Sequence, residues 1–311
     1  MSSIMSTFEV QNLFSVKGKV ALVTGGSRGI GKMISTGFVK NGAKVYISSR
    51  TAKDCEETAK ELNALGPGTC IALPADLQKY EEVERLVKEL ASRESVLHIL
   101  VNNAGAAWGS TLDEFPASQK RDAAFTKVLT LNLQRVFTLT QKLLPLLRAA
   151  AATSRNGRTY DDPARIINAS PLSLPPSCAP ADCFRQIGSI EGLAVPDHET
   201  YAYSASKAAL HHLSRHLGGR LGWEGVTSNT IACGFFESKM TAYTLATSGD
   251  PLLASTPAQR FGKPEDVAGT ALFLASPAAS WINGATITLD GGLLLSGGGL
   301  KRQALNQLPK L

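Results

Sequence analysis

Seven short apolar runs set the strongest limit on how this chain folds: VALVTG (20–25), AKVYISS (43–49), CIALPA (70–75), HILVNNAG (98–105), ARIINA (164–169), VTSNTIA (226–232) and ATITLDGG (285–292). Each is separated from the next by enough chain for a helix. Continuous rather than alternating hydrophobicity is what a strand buried on both faces requires, so the pattern predicts βαβ units and a parallel sheet of about seven strands with helices on either side. A chain of 311 residues with 43% hydrophobic content can fill the core of such an α/β fold. The rhythm shows no internal repeat and no break in composition. It predicts one domain over residues 17–292, a lead over 1–16 and a flexible, glycine-bearing tail over 293–311.

The first strand runs into TGGSRGIG (24–31), which places glycines at 25, 29 and 31 where a helix opens. Glycine permits the tight turn, and its missing Cβ lets a pyrophosphate approach the free N–H groups of the helix N-terminus. Gly25, Ser27, Arg28, Gly29, Ile30 and Gly31 are therefore candidate dinucleotide contacts, and the architecture becomes a Rossmann-type doubly wound domain. An acid at the end of the second strand would select NAD(H). The chain reads VYISSR there, with no acid, and Ser27, Ser49, Arg28 and Arg50 favour the 2'-phosphate of NADP(H). The bland alternative is that the two arginines are solvated helix-start residues.

YAYSASKAALHHLSRHL (201–217) has helical periodicity and puts Tyr203 and Lys207 one turn apart on one face. A phenol titrates near 10 in water, and a neighbouring ammonium lowers the free energy of its phenolate. Tyr203 is thus a candidate general acid, with Lys207 as its activator. Tyr201 falls off that face.

Together with NNAG (102–105), Asn132 in LNL, a serine before YSASK (203–207) and the closing stretch RFGKPEDVAGTALFLASPAASWINGATITLDGG (260–292), these motifs resemble the short-chain dehydrogenase/reductase family. The resemblance runs from about Lys17 to Gly292 and is nearest to NADPH-dependent carbonyl and 3-oxoacyl reductases. It implies that Tyr203 protonates a carbonyl as hydride arrives from the nicotinamide, that Lys207 also holds the nicotinamide ribose, and that Asn132 keeps a water in a proton relay. A serine orients the substrate oxygen. It further implies that Asp76 and Leu77 contact adenine, that Asn103, Ala104 and Gly105 line the cofactor, and that Phe236 and Ser238 meet the carboxamide. The family has Pro-Gly where this chain has Cys233-Gly234, so the stiffer turn is lost. Its helices equivalent to FTKVLTLNLQRVFTLTQKLLPLL (125–147) and to the Tyr/Lys helix pack against other subunits, implying a homodimer or homotetramer.

Two serines compete for the substrate. Ser189 stands 14 positions before Tyr203, near the family's separation, whereas Ser170 stands 33 before it but directly follows the strand ARIINA. Ser189 is the reading taken, with the 18 residues 169–186 as an insert that loops out and lets IGS return to the strand end. Removing that insert restores IINIGSIEG, as a translated, unspliced short intron would; a surface loop is the plain alternative. The expected function is NADP(H)-dependent reduction of a small-molecule ketone or 3-oxoacyl thioester. The alternative is a cofactor-binding regulatory or scaffold protein, impaired because the insert displaces the serine.

The remaining signals are weaker. His211, His212 and His216 lack a third ligand or an intervening glutamate, so a helix surface or subunit contact is expected rather than a metal. Five cysteines without C-x-x-C spacing read as free thiols in a reducing compartment. The charge of +6 is spread without a basic block, so no nucleic acid partner is expected. No apolar run reaches the roughly 20 residues of a membrane span. The polar stretch 153–162 reads as an exposed loop. The start has no signal core, and the C-terminal Pro-Lys-Leu matches the Ser-Lys-Leu peroxisomal address poorly, so the cytoplasm is expected, with the peroxisome as the alternative.

Overall fold

The computed structural model describes residues 8–109, 112–113, 119–170, 189–195, 199–236 and 253–296, with backbone placement alone at 119–122, Ser170 and Ser189. Ser238, residues 171–186 of the expected insert and the tail beyond 296 lie outside the described residues.

All seven apolar runs form strands: β1 Val20–Thr24, β2 Lys44–Ser48, β3 Thr69–Ala72, β4 Ile99–Asn102, β7 Ala164–Ser170, β8 Val226–Cys233 and β9 Thr286–Leu289. They pair in parallel in the order β3-β2-β1-β4-β7-β8-β9. Every residue of β1, β4 and β8 is buried, which is why those runs do not alternate. The two remaining strands, β5 Arg155–Asn156 and β6 Thr159–Tyr160, make a small antiparallel hairpin where an irregular loop was expected. Asp162, just after it, turns inward to Lys19 and Arg165 at 2.8 and 2.9 Å.

Helices α1 Gly29–Lys40 and α7 Pro264–Ala275 cover one face of the sheet, burying Ile34, Phe38, Val267 and Leu274 against Ala21, Val23, Val45 and Ile231. On the other face, α3 Tyr80–Arg93 and α5 Arg135–Ala152 bury Leu86, Leu90, Leu143 and Leu147 against Leu22, Tyr46, Leu100 and Ile166. Neighbours such as Ala21 and Leu22 go to opposite faces, as the pleat requires. Truncating one of these leucines to alanine removes about 2–5 kcal/mol. Helix α2 Ala52–Asn63 connects β2 to β3, and α4 Gln119–Leu129 precedes α5. Helix α6 Tyr201–Leu221 packs beside β8.

Successive strands move outward from β1 to β3; the chain then crosses back, and β4 lies on the other side of β1. That reversal opens a crevice at the carboxyl ends of β1 and β4, where ligands bind in open α/β sheets. Among the described residues no helix is long and apolar enough to cross a membrane.

Candidate active site

The glycine turn leaves β1 into the crevice. Gly25 and Gly29 have positive φ, 65° and 53°, which side-chain-bearing residues rarely adopt. Gly31 is required for a different reason: a Cβ there would stand 2.2 Å from the Gly25 carbonyl oxygen and 2.5 Å from Asn103 Nδ2. Asn103 binds the turn, its Nδ2 donating to the Thr24 and Gly25 carbonyls at 2.9 and 3.2 Å. The N–H groups of Asn103 and Ala104 both donate to Thr24 Oγ1. Asn103 Oδ1 is buried with no partner among the described residues. The N-terminus of α1, a cradle that a single methyl group would fill, and a buried acceptor beside it suit a dinucleotide pyrophosphate. Ile30 is buried beneath the turn.

At the end of β2, Ser27 Oγ donates to Ser49 Oγ at 2.9 Å, and Ser49 Oγ lies 3.0 Å from Cys55 Sγ. The carboxyl ends of β1 and β2 thus bring the two predicted hydroxyls together. Arg28 and Arg50 flank them, exposed. Asp76 accepts from the Gln78 N–H at 3.2 Å, and Leu77 is buried.

Tyr203 and Lys207 lie one turn apart in α6, 1% and 2% exposed, with Lys207 Nζ 5.0 Å from the centre of the phenol ring. Burial is the main influence on Lys207 and lowers its pKa to about 8; the charge of Glu191 and the Cys233 thiol act in the opposite sense. Cys233 is itself pushed up to about 12 by burial. The geometry sets the Lys207 cation over the phenol ring in a site closed to water.

Asn132 reaches this pair through a feature that the sequence pattern did not reveal. The expected continuous helix over 125–147 is interrupted by a π-helical turn, Thr130–Gln134, between α4 and α5. Within it Asn132 is buried; its Oδ1 accepts from the Ala106 N–H at 2.8 Å, and its Nδ2 donates to the Ala106 carbonyl at 2.9 Å. Nδ2 also donates to Ser206 Oγ at 3.0 Å, which in turn donates to the Tyr203 carbonyl at 2.6 Å. Ser206 escaped the sequence reading, although it directly precedes Lys207. Gly105 belongs to the same group: a Cβ there would be 3.2 Å from Asn132 Oδ1 and 3.7 Å from Lys207 Nζ.

The Cys233-Gly234 turn is held without the proline. Gly234 N–H donates to the Leu289 carbonyl at 2.9 Å, and its missing Cβ would stand 2.8 Å from Asp290. Phe236 follows, buried and bridged to Gly262.

The two serines are placed by their backbones. Ser170 ends β7 in register with Ala232, and Ser189 opens a 3-10 turn, Ser189–Gly192. Ile190 of that turn shares an apolar cluster with Ala232, Phe235 and Leu293, which sets the turn beside the carboxyl end of β8. The tail expected from Leu293 begins with this buried residue. Among the histidines, His212 and His216 are exposed, as expected, but His211 is buried, which corrects its placement on the helix surface. Residues 203, 207 and 211 share one helix face, and that face turns inward.

The family profile described as "short chain dehydrogenase" matches residues 19–158, and the one described as "Enoyl-(Acyl carrier protein) reductase" matches residues 186–294. A rhamnolipids biosynthesis 3-oxoacyl-[acyl-carrier-protein] reductase of Pseudomonas aeruginosa is 41% identical over 287 residues, 91% of this chain and 98% of the relative. A 3-oxoacyl-[acyl-carrier-protein] reductase of Synechocystis sp. is 34% identical over 281 residues, covering 89% and 97%. Among solved structures, the Pseudomonas aeruginosa RhlG/NADP active-site complex superposes with a TM-score of 0.77 at 40% identity, over 91% of this chain and 98% of that one.

Proposed function

Because the chain belongs to the short-chain dehydrogenase/reductase family, we propose that it is an NADP(H)-dependent oxidoreductase that reduces a small-molecule ketone or 3-oxoacyl thioester to the alcohol, reversibly, with Tyr203 as general acid and base. The buried Tyr203/Lys207 pair, with Asn132 fixed beside it, is the observation that carries this reading. When bound, the dinucleotide supplies hydride from C4 of its nicotinamide. Gly25, Gly29, Ile30, Gly31 and Asn103 cradle its pyrophosphate, and Ser27, Arg28, Ser49 and Arg50 take the 2'-phosphate. Asp76 and Leu77 flank the adenine; Ala104, Gly105, Phe236 and Ser238 line the nicotinamide end.

Tyr203 passes its phenolic proton to the substrate oxygen as charge develops there, and Lys207 stabilises the phenolate left behind. Asn132 locks the Ala106 backbone and Ser206 around the pair and holds a relay water that re-protonates it through Lys207. Ser189 orients the substrate oxygen. The RhlG/NADP complex and the two acyl-carrier-protein reductases support both the cofactor and the 3-oxoacyl substrate class. Exposed Phe137 and Tyr201, on α5 and α6, support assembly as a homodimer or homotetramer.

The test is turnover by the purified protein with NADPH, and with NADH for comparison, against ketones, diketones and 3-oxoacyl thioesters. We expect NADPH-dependent reduction that Tyr203→Phe abolishes while NADPH still binds; turnover retained in that variant refutes the role of Tyr203. The separation of Ser170 from Ser189 supports a second reading, a cofactor-binding regulatory protein, and NADPH binding with no turnover on any substrate of the panel is its signature.

A further inference from the structure

Glu191 is a buried carboxylate that none of these steps uses. It is 5% exposed in the turn Ser189–Gly192, and its Oε2 accepts from Thr200 Oγ1 at 2.7 Å and from Ser204 Oγ at 2.8 Å. Thr200 occupies the N-terminal boundary of α6 and Ser204 lies in its first turn, so one side chain ties the turn to the end of the helix that carries Tyr203 and Lys207.

The rest of the turn is seated on the same helix. A Cβ at Gly192 would stand 2.7 Å from the Lys207 carbonyl carbon, 2.8 Å from the Ala208 nitrogen and 2.9 Å from His211 Cε1. The N–H groups of Leu193 and Ala194 close the turn on the Ile190 carbonyl at 2.8 and 2.9 Å. Ile190 packs with Ala232, the register partner of Ser170. The turn therefore lies beside the carboxyl end of β8, the strand that pairs with β7 at Ser170.

Burying a carboxylate is costly unless hydrogen bonds and an opposite charge compensate. Two hydroxyls supply the first; the turn is seated against the Lys207 backbone, and the Glu191 charge acts on Lys207. The other titratable groups facing Lys207 are the Tyr203 phenol and His211 on α6 and the Cys233 thiol on β8. Glu191 is thus the one carboxylate among the described groups acting on it.

We propose that Glu191 is a positioning residue of this site, latching the turn that opens at Ser189 onto the first turn of α6 and serving as the buried counter-charge of Lys207. The inference rests on the reading of Tyr203 and Lys207 as the reacting pair. Removing a negative charge beside that pair favours its deprotonated forms, so both groups titrate at lower pH. Reduction needs the protonated phenol, and its alkaline limit moves down accordingly.

Three variants separate the two roles. Glu191→Gln keeps an acceptor for Thr200 and Ser204 but loses the charge, Glu191→Ala loses both, and Glu191→Asp restores the charge. In pH profiles of NADPH-dependent reduction between about pH 6 and about pH 10, Glu191→Gln is expected to lower the alkaline limb by about one unit. Glu191→Ala is expected to show the same displacement and a kcat/KM lower by on the order of 10- to 100-fold, which Glu191→Asp largely returns. An unshifted limb in Glu191→Gln overturns the counter-charge.

Amide hydrogen exchange tests the latch without turnover. Leu193 and Ala194 should exchange at least about tenfold faster in Glu191→Ala, while the amides in the middle of α6 keep their protection. Unchanged exchange at both positions overturns the latch. A wild-type protein that consumes no NADPH would instead sink the reading of Tyr203 and Lys207, and the exchange result would still decide the fate of the latch.

Discussion

His211 gives the protein a predictable weakness toward acid. The imidazole is 1% exposed, and both ring nitrogens are buried with no partner among the described residues. Burial, reinforced by the charges of Lys207 and Arg215, lowers its pKa from 6.5 to about 4. Because the folded value lies below the unfolded one, the unfolded chain binds a proton that the folded chain refuses between those two values. Stability is therefore intact above about pH 6.5 and falls as pH drops toward about 4. The interval corresponds to about 3 kcal/mol in full, of which roughly 2 kcal/mol is already lost at about pH 5. Replacing the ring by a leucine of similar volume removes the titration and two unsatisfied nitrogens, so His211→Leu should lie within about 1 kcal/mol of the wild type at neutral pH. Urea unfolding at about pH 7.5 and about pH 5, at one protein concentration, measures the double difference. The variant should lose roughly 2 kcal/mol less than the wild type between the two conditions. Equal losses in the two proteins would refute the placement of His211 as a neutral buried base.

Gly31→Ala drives a methyl group to 2.2 Å from the Gly25 carbonyl oxygen, and NADPH fluorescence titration should show binding lost in a folded protein. Arg28→Ala combined with Arg50→Ala removes both cations beside the Ser27/Ser49 hydroxyls. The dissociation constant for NADPH should rise on the order of tenfold or more while that for NADH changes little, since each charged hydrogen bond contributes about 1.5–3 kcal/mol. Asp162→Asn leaves buried Lys19 and Arg165 without the carboxylate that each meets, at 2.8 and 2.9 Å. Calorimetry should find a destabilisation of about 3 kcal/mol, a fall in Tm of several degrees.

The fold was legible because a parallel sheet covered on both faces turns each strand into an uninterrupted apolar run, and all seven runs became strands at their predicted places. The glycine spacing was legible for a similar reason: the need for missing Cβ atoms leaves its mark on residue type. Two features left no such mark. The π-helical turn at Asn132 adds one residue per turn to a helix without changing its composition. Glu191 is polar and lies nine and thirteen residues from its two partners, Thr200 and Ser204, so no window of sequence reads it as buried.

The inward placement of His211 exposes a more general blind spot. Helix α6 buries Tyr203, Ser206, Lys207, His211 and Ser214 as well as Ala202, Leu210, Gly218 and Leu221. The first five share spacings of three and four residues as regularly as any apolar stripe, but hydrophobic periodicity gives them no weight. A helix long enough for a well-packed element, whose apolar stripe is too thin to account for its burial, must bury a polar face instead. Most buried polar side chains are compensated by partners or a ligand, and the cost of His211, which has no partner among the described residues, shows as its lowered pKa. The 3.6-residue recurrence of polar residues in YAYSASKAALHHLSRHL therefore carried the same information as an apolar stripe, and a site-bearing helix is recognised by its polar period where a structural one is recognised by its apolar period.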